Sequence, residues 1–124
     1  MRTGRPAARR AAAMLANDPY RLRSASVISH SMTRHLGKKG PCLKVEYEID
    51  ENPYKISEYV AIESESAWAR KKAHLWCVRA FGRMFETVDA ALAASAQART
   101  ATHIEYRKQP NNPKYYTVEA VKYE

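Results

Sequence analysis

The sequence predicts a small α+β domain, in which about five antiparallel strands carry one long helix and one shorter helix between the third strand and the fourth. Three observations lead there. Leu43–Asp50 alternates apolar and polar residues without a fault, the period-two signature of a strand with one buried and one wet face. Ala69, Ala73, Trp76, Cys77 and Ala80 then recur at helical spacing, forming one apolar stripe. The last third of the chain holds two more strand-like runs around a turn rich in Pro and Asn. At 124 residues, 45% of them apolar, the chain makes one domain with a single modest core.

Residues 1–20 read as a basic tail ahead of a domain spanning 21–124. Ala7–Ala16 has good helix propensity, but its apolar content is mostly Ala and buries little; Asp18-Pro19 ends it. Arg21–Met32 is the weakest strand, carried by β-branched Val27 and Ile28. Thr33–Pro41, with two Gly, one Pro and three cations, reads as a loop. In the next strand Leu43, Val45, Tyr47 and Ile49 share one face, while Lys44, Glu46, Glu48 and Asp50 share the other. Glu51-Asn52-Pro53 turns the chain, and Tyr54–Glu63 returns as the second arm of a hairpin. Ile56, Val60 and Ile62 form the apolar face of that arm with Glu58 among them. A carboxylate there is expected at a water-open edge or against an arginine.

Ser64 or Ser66 caps the long helix and Gly82 stops it. Tyr47, Trp76 and Phe81 are assigned to the core. Thr87 and Asp89 start the second, Ala-rich helix, which is expected to run to about Ala98 on the surface. Thr102–Arg107 and Tyr115–Tyr123 are the last strands, joined by a loop through Gln109–Lys114. The resulting order, β-β-β-α-(α)-β-β, is that of an OB-like small β-barrel, whose helix lies between its third and fourth strands. A helix-covered antiparallel sheet that never closes has the same order.

The formal net charge is +8, and its placement is uneven. From Met1 to Gly40 nine cations face one acid, Asp18; from Pro41 to Glu124 twelve cations balance twelve acids. The whole excess sits in the first third, and a polyanion is the natural partner of such an asymmetry. The alternative is a solvated tail that only aids solubility. Cys42 and Cys77 have neither disulfide-framework nor CxxC spacing and are expected to be free thiols in a reducing, cytoplasmic setting. No apolar run has the roughly 20 residues of a membrane span.

The chemistry of a reaction is missing from the pattern. His30, His35, His74 and His103 fall in four different elements with no ligand spacing, so no metal or other cofactor is expected. No nucleophilic triad order and no paired carboxylates stand out, and the chain is read as a non-enzyme. A compact nuclease built on Glu58, Glu63 and Lys71 is the catalytic alternative.

Nucleic-acid binding has positive support. OB-type domains hold single strands in a basic groove, stacking bases on aromatic faces. The loop between the first and second strands carries Arg34, His35, Lys38 and Lys39. The loop between the fourth and fifth carries Arg107, Lys108, Lys114 and Tyr115. Tyr59 is an outward aromatic on its strand, and Arg70 and Lys71 on the long helix can reach phosphates. Trp68 falls off the helical stripe and is read first as packing from the core's rim.

One resemblance adds to this reading. Arg34-His35, Lys39-Gly40-Pro41 and Leu43-Lys44-Val45-Glu46-Tyr47, followed by Ser57-Glu58-Tyr59-Val60, Glu63, Ala69-Arg70-Lys71-Lys72-Ala73 and Trp76, resemble a C-terminal accessory module of phage and bacterial DEAD/DEAH-type DNA-repair helicases. The similar stretch runs from about Val27 to Trp76. It departs from that pattern at Tyr59, where the module has Trp, at Ser64-Glu65-Ser66, and at Leu75-Trp76 in place of paired Trp. The chain has no GxxxxGK[ST] and no DEAH-like box. The resemblance implies a detached accessory domain, phage-encoded or of phage origin, that touches single-stranded DNA or a helicase-like partner. A protein-interaction adaptor without direct nucleic-acid contact is the alternative.

Overall fold

A computed structural model describes residues 18–124 of the protein; the helix expected over Ala7–Ala16 lies outside them. The elements, in chain order, are β1 (Arg23–Gly37), β2 (Gly40–Ile49), β3 (Lys55–Val60), α1 (Ala67–Phe81), α2 (Val88–Ala93), a short 3₁₀ turn (Ser95–Gln97), β4 (Ala101–Gln109) and β5 (Asn112–Tyr123). All strand pairs are antiparallel, in the spatial order β3-β2-β1-β4-β5. The fold is therefore a small α+β domain on one five-stranded antiparallel sheet. The sheet is not closed into a barrel. β3 and β5 are its two edges, and they approach within 8 Å in Cα spacing without a backbone ladder between them.

β1 holds the two halves of the sheet together. Its first residues, Arg23–Ser26, pair with β4, and the rest, from Val27 to Gly37, pairs with β2. A bulge between Val27 and Ser29 marks the change of partner, and such a bulge bends a strand and increases its twist. Where the β1–β4 ladder ends, a side chain takes over: the Ala101 N–H donates to His30 Nε2 at 3.3 Å.

The core follows the alternation of β2. Leu43, Val45, Tyr47 and Ile49 are all buried, and Ile56, Val60, Ile62, Ile104 and Tyr106 meet them from the neighbouring segments. α1 contributes Ala73, Cys77 and Ala80, small residues that let the helix approach the sheet closely. Its ends are well specified. The Ser66 hydroxyl accepts the Ala69 N–H at the N-cap, and Gly82 closes the C-terminus at φ 77°, its N–H donating to the Val78 carbonyl. Both match the sequence expectation.

Four expectations need correction. The segment Thr33–Pro41 is no loop: β1 runs to Gly37 and turns back through Lys38-Lys39 alone. Neither lysine has positive φ, and Gly40, at φ 114°, supplies the left-handed residue of this tight turn. β4 and β5 likewise extend to a turn of only Pro110 and Asn111, so Arg107, Lys108, Lys114 and Tyr115 are strand residues. Pro113 is tolerated within β5 because an edge strand need not use every N–H. Finally α2 is shorter than expected, ending at Ala93, and it is no surface appendage. Its Val88 and Ala91 are fully buried, and the Val88 N–H donates to the Glu63 carboxylate at 3.0 Å.

Candidate functional site

The two sheet edges and α1 enclose a half-open cleft of about 820 Å³. β3 forms one wall along its whole length, Lys114–Val118 of β5 the other, and the residues of α1 from Trp68 to Arg79 that face the strands complete it. The cleft exists because β3 and β5 do not pair: the edge that would close the sheet is left as a gap backed by the helix.

Aromatic faces stand around its rim. Trp68 is 69% exposed, Tyr115 60% and Tyr59 53%, which leaves each ring largely in solvent although its body could have been packed away. Lys72 Nζ sits 4.2 Å from the Trp68 ring centroid, a cation–π contact that holds ring and ammonium side by side. Lys55, Arg79 and Lys114 complete the cationic lining, against one carboxylate, Glu58. Lys55 also lies 3.5 Å from Glu46, an exposed pair worth little.

Glu58 occupies the floor. It points inward from β3, as the sequence pattern requires, on an edge strand beside the half-open cleft, and its hydrogen-bond partner is a tyrosine rather than an arginine. The Tyr47 hydroxyl donates to Glu58 Oε2 at 2.5 Å. Burial pushes the Glu58 carboxyl above the usual carboxylate range, while the Tyr47 contact pulls the other way. Burial and the neighbouring Glu58 charge push the Tyr47 hydroxyl far up, and Tyr123, beside the same carboxylate, is pushed up to about 12, mainly by burial. Trp76 lies close enough to this group to act on its charge, yet its buried Nε1 has no hydrogen-bond partner of normal geometry. Glu58 is half-buried and lines the cleft.

The residues singled out from sequence are only partly gathered here. Tyr59 and Tyr115 line the cleft. His35 reaches it indirectly, its ring 5.0 Å from that of Tyr59. Arg34 lies level with the last β3 pairing, Leu43 with Val60, and Lys38 and Lys39 form the tip of the β1–β2 hairpin that projects past it; Arg34 pairs with Asp89 at 3.6 Å. Arg70 is occupied by the fold: its guanidinium donates to the Ser64 and Glu65 carbonyls at 2.7 and 2.9 Å. Lys71 is exposed but does not line the cleft. Arg107 sits 3.3 Å from Glu119 across β4–β5, and Lys108 is opposite Tyr116 in the same ladder; neither lines the cleft.

Sequence reasoning missed Lys55, Lys72, Leu75 and Arg79, and it read Trp68 first as core packing. The signal was present: Trp68, Lys72, Leu75 and Arg79 recur at i, i+4, i+7 and i+11, a second stripe beside the buried one. No three of the His, Cys, Asp and Glu side chains converge among the described residues. Cys77 is buried, Cys42 is half-buried, and both are free thiols. No described helix is long and apolar enough to cross a membrane. No protein-family model matches the chain, and no curated protein matches it significantly in sequence.

Proposed function

We propose that this chain is a non-enzymatic, OB-like domain that binds single-stranded nucleic acid, DNA above RNA, in the cleft between β3, β5 and α1, as an accessory to a helicase or a DNA-repair process. One observation carries the reading: three exposed aromatic rings and four cations surround a single cleft. Stacking faces bind any base, and cations track the backbone between them. The β1 strand shared by both halves of the sheet, together with the helix between β3 and β4, supports the OB-like part. The preference for DNA and the helicase connection rest on the resemblance of residues 27–76 to the helicase accessory module.

The test is fluorescence anisotropy with labelled single- and double-stranded oligonucleotides at two salt concentrations. Single strands are expected to bind more tightly, and more weakly as salt rises. Trp68→Ala and Tyr115→Ala should each lose about 1–3 kcal/mol of binding, the usual worth of one stacked base; Lys71→Ala should change little. Failure to bind any oligonucleotide at low salt would discard the proposal. A protein-docking role is the second reading. It is favoured by Leu36, exposed near the hairpin tip, and Leu75, exposed beside the cleft, and its mark would be capture of a helicase-like partner with affinity insensitive to salt.

A further inference from the structure

The turn end of the β1–β2 hairpin stands clear of the rest of the sheet. β4 accompanies β1 only as far as Ser26, and β3 reaches β2 no nearer the turn than Leu43. Beyond Leu43, His35 with Cys42, Leu36 with Pro41 and Gly37 with Gly40 pair as a two-stranded ribbon without a neighbouring strand, and the ribbon turns through Lys38 and Lys39. Three paired steps at about 3.4 Å each give an arm of roughly 10 Å before the turn.

The arm combines two chemistries. Residues 33–44 hold four cations and no acid. Arg34 lies against Asp89 and Lys44 against Glu46, whereas Lys38 and Lys39 are exposed and have no ion pair among the described residues. Next to them Leu36 is 74% exposed, more than any other large apolar side chain among the described residues. Pro41 is directly opposite Leu36 in the ladder, and directly opposed residues share a face of the ribbon. An apolar pair therefore sits beside two free ammonium groups.

A duplex that ends in a single strand answers both chemistries. Within a duplex each base pair is covered by the next, but the last pair before a junction leaves one flat apolar face bare, with phosphates around it. Leu and Pro are among the side chains that proteins set against base steps, and lysine takes a phosphate as a point charge. The placement fits the cleft. Tyr59 stands on its wall, and the Tyr59 ring lies 5.0 Å from that of His35, the residue before Leu36. A strand that leaves the cleft past Tyr59 arrives at the base of the arm.

We propose that the β1–β2 arm is a junction contact: with a single strand in the cleft, Leu36 and Pro41 cover the last base pair of the adjoining duplex, and Lys38 and Lys39 hold its phosphates. The inference rests on the single-strand reading above and adds to it the place along the DNA where the domain sits.

The experiment titrates the full chain by anisotropy with three labelled DNAs: oligothymidylate of about a dozen nucleotides, the same strand extending from a short hairpin duplex, and that hairpin duplex with a blunt end. The tailed duplex is expected to bind roughly tenfold more tightly than oligothymidylate. Its slope of log K against log salt should be steeper by about 1.8, two duplex phosphates at about 0.9 each. Replacing both lysines, Lys38→Ala with Lys39→Ala, should remove the extra slope and most of the extra affinity. Leu36→Ser should lose affinity for the tailed duplex with the slope kept, because an apolar contact releases no counterions. Both variants should bind oligothymidylate as the unaltered chain does. Equal affinity and slope for the tailed duplex and oligothymidylate overturns the junction contact and leaves single-strand binding standing. An advantage that survives both arm variants, or that the blunt duplex shares in full, overturns it as well. No junction effect, together with loss of helicase-like capture in Leu36→Ser, assigns the arm to a protein partner instead. No binding of any DNA overturns both readings. The comparison of DNAs is made in the unaltered protein, so it decides the matter even if a variant folds poorly.

Discussion

At the scale of single residues, His30 and Glu58 titrate with opposite effects on stability. His30 Nε2 accepts the Ala101 N–H and can do so only while unprotonated, and burial lowers its pKa. Its contribution is therefore present above the ordinary imidazole value of about 6.5 and is lost as pH falls through the lower native value. Glu58 is raised by burial, so its contribution is present below the unfolded carboxyl value of about 4.3 and is lost as pH rises through the higher native value. Two thermal-unfolding series from pH 8 to pH 4 check this. Glu58→Gln should melt above the unaltered chain at pH 8, with the gap narrowing toward pH 4. His30→Ala leaves the Ala101 N–H without its partner and should cost about 1–3 kcal/mol at pH 8, less as the imidazole of the unaltered chain protonates. The groups facing Glu58 are Tyr47, Trp76 and Tyr123, none of which carries charge across that range. Much at this scale was legible beforehand: β2 alternation named its buried residues, and Glu58 stood out as an acid on an apolar face. Its partner did not, because Tyr47 looked like pure core when only its ring was counted, and pairing a hydroxyl with a carboxylate requires the β2–β3 register.

At the scale of elements, the weight falls on the C-terminal end of α1. Gly82 adopts a left-handed φ of 77°, and an added Cβ would come within 3.1 Å of Arg99 Nη2. Arg99 itself donates to the Val78 and Arg79 carbonyls, supplying with its guanidinium the acceptors' partners that helix ends otherwise lack. Gly82→Ala should destabilise the domain by about 1–2 kcal/mol, the cost of a side chain in the left-handed region, and Arg99→Ala by about 1 kcal/mol or somewhat more; urea unfolding measures both. The sequence announced Gly82 as a helix stop, but Arg99 lies 17 positions on and nothing local marks it as a cap. Strand ends show the same limit. Thr33–Pro41 and Gln109–Lys114 have turn composition, and composition alone cannot show that two residues suffice to reverse the chain when a long hairpin ladder stabilises the segments on either side.

For the whole molecule, the open sheet decides where charge matters. Cations on the two strand edges and α1 converge on one cleft, although they are scattered through a sequence region of zero net charge. Neutralisation of phosphates by Lys55, Lys72, Arg79 and Lys114 predicts a slope of log K against log salt of about −3 for a single strand, at about 0.7 per contact. Deleting residues 1–17, which carry four arginines, should flatten the measured slope by about 0.7 for each contact that the tail supplies; anisotropy titrations at four salt concentrations resolve such a change. The sequence placed all the excess charge in the first third and directed attention to the hairpin cations. It could not show the convergence, which depends on β3 and β5 facing each other across α1.

The double membership of β1 also governs the order in which the chain can assemble. The Val27–Gly37 portion finds its partner in the next strand, so β1, β2 and β3 can form a meander without β4. The Arg23–Ser26 portion must wait for β4, since Arg23 pairs with Tyr106, and its edge stays open while both helices are synthesised. Completion of the sheet therefore waits on β4, and until that strand is available the Arg23–Ser26 start of β1 has no partner strand.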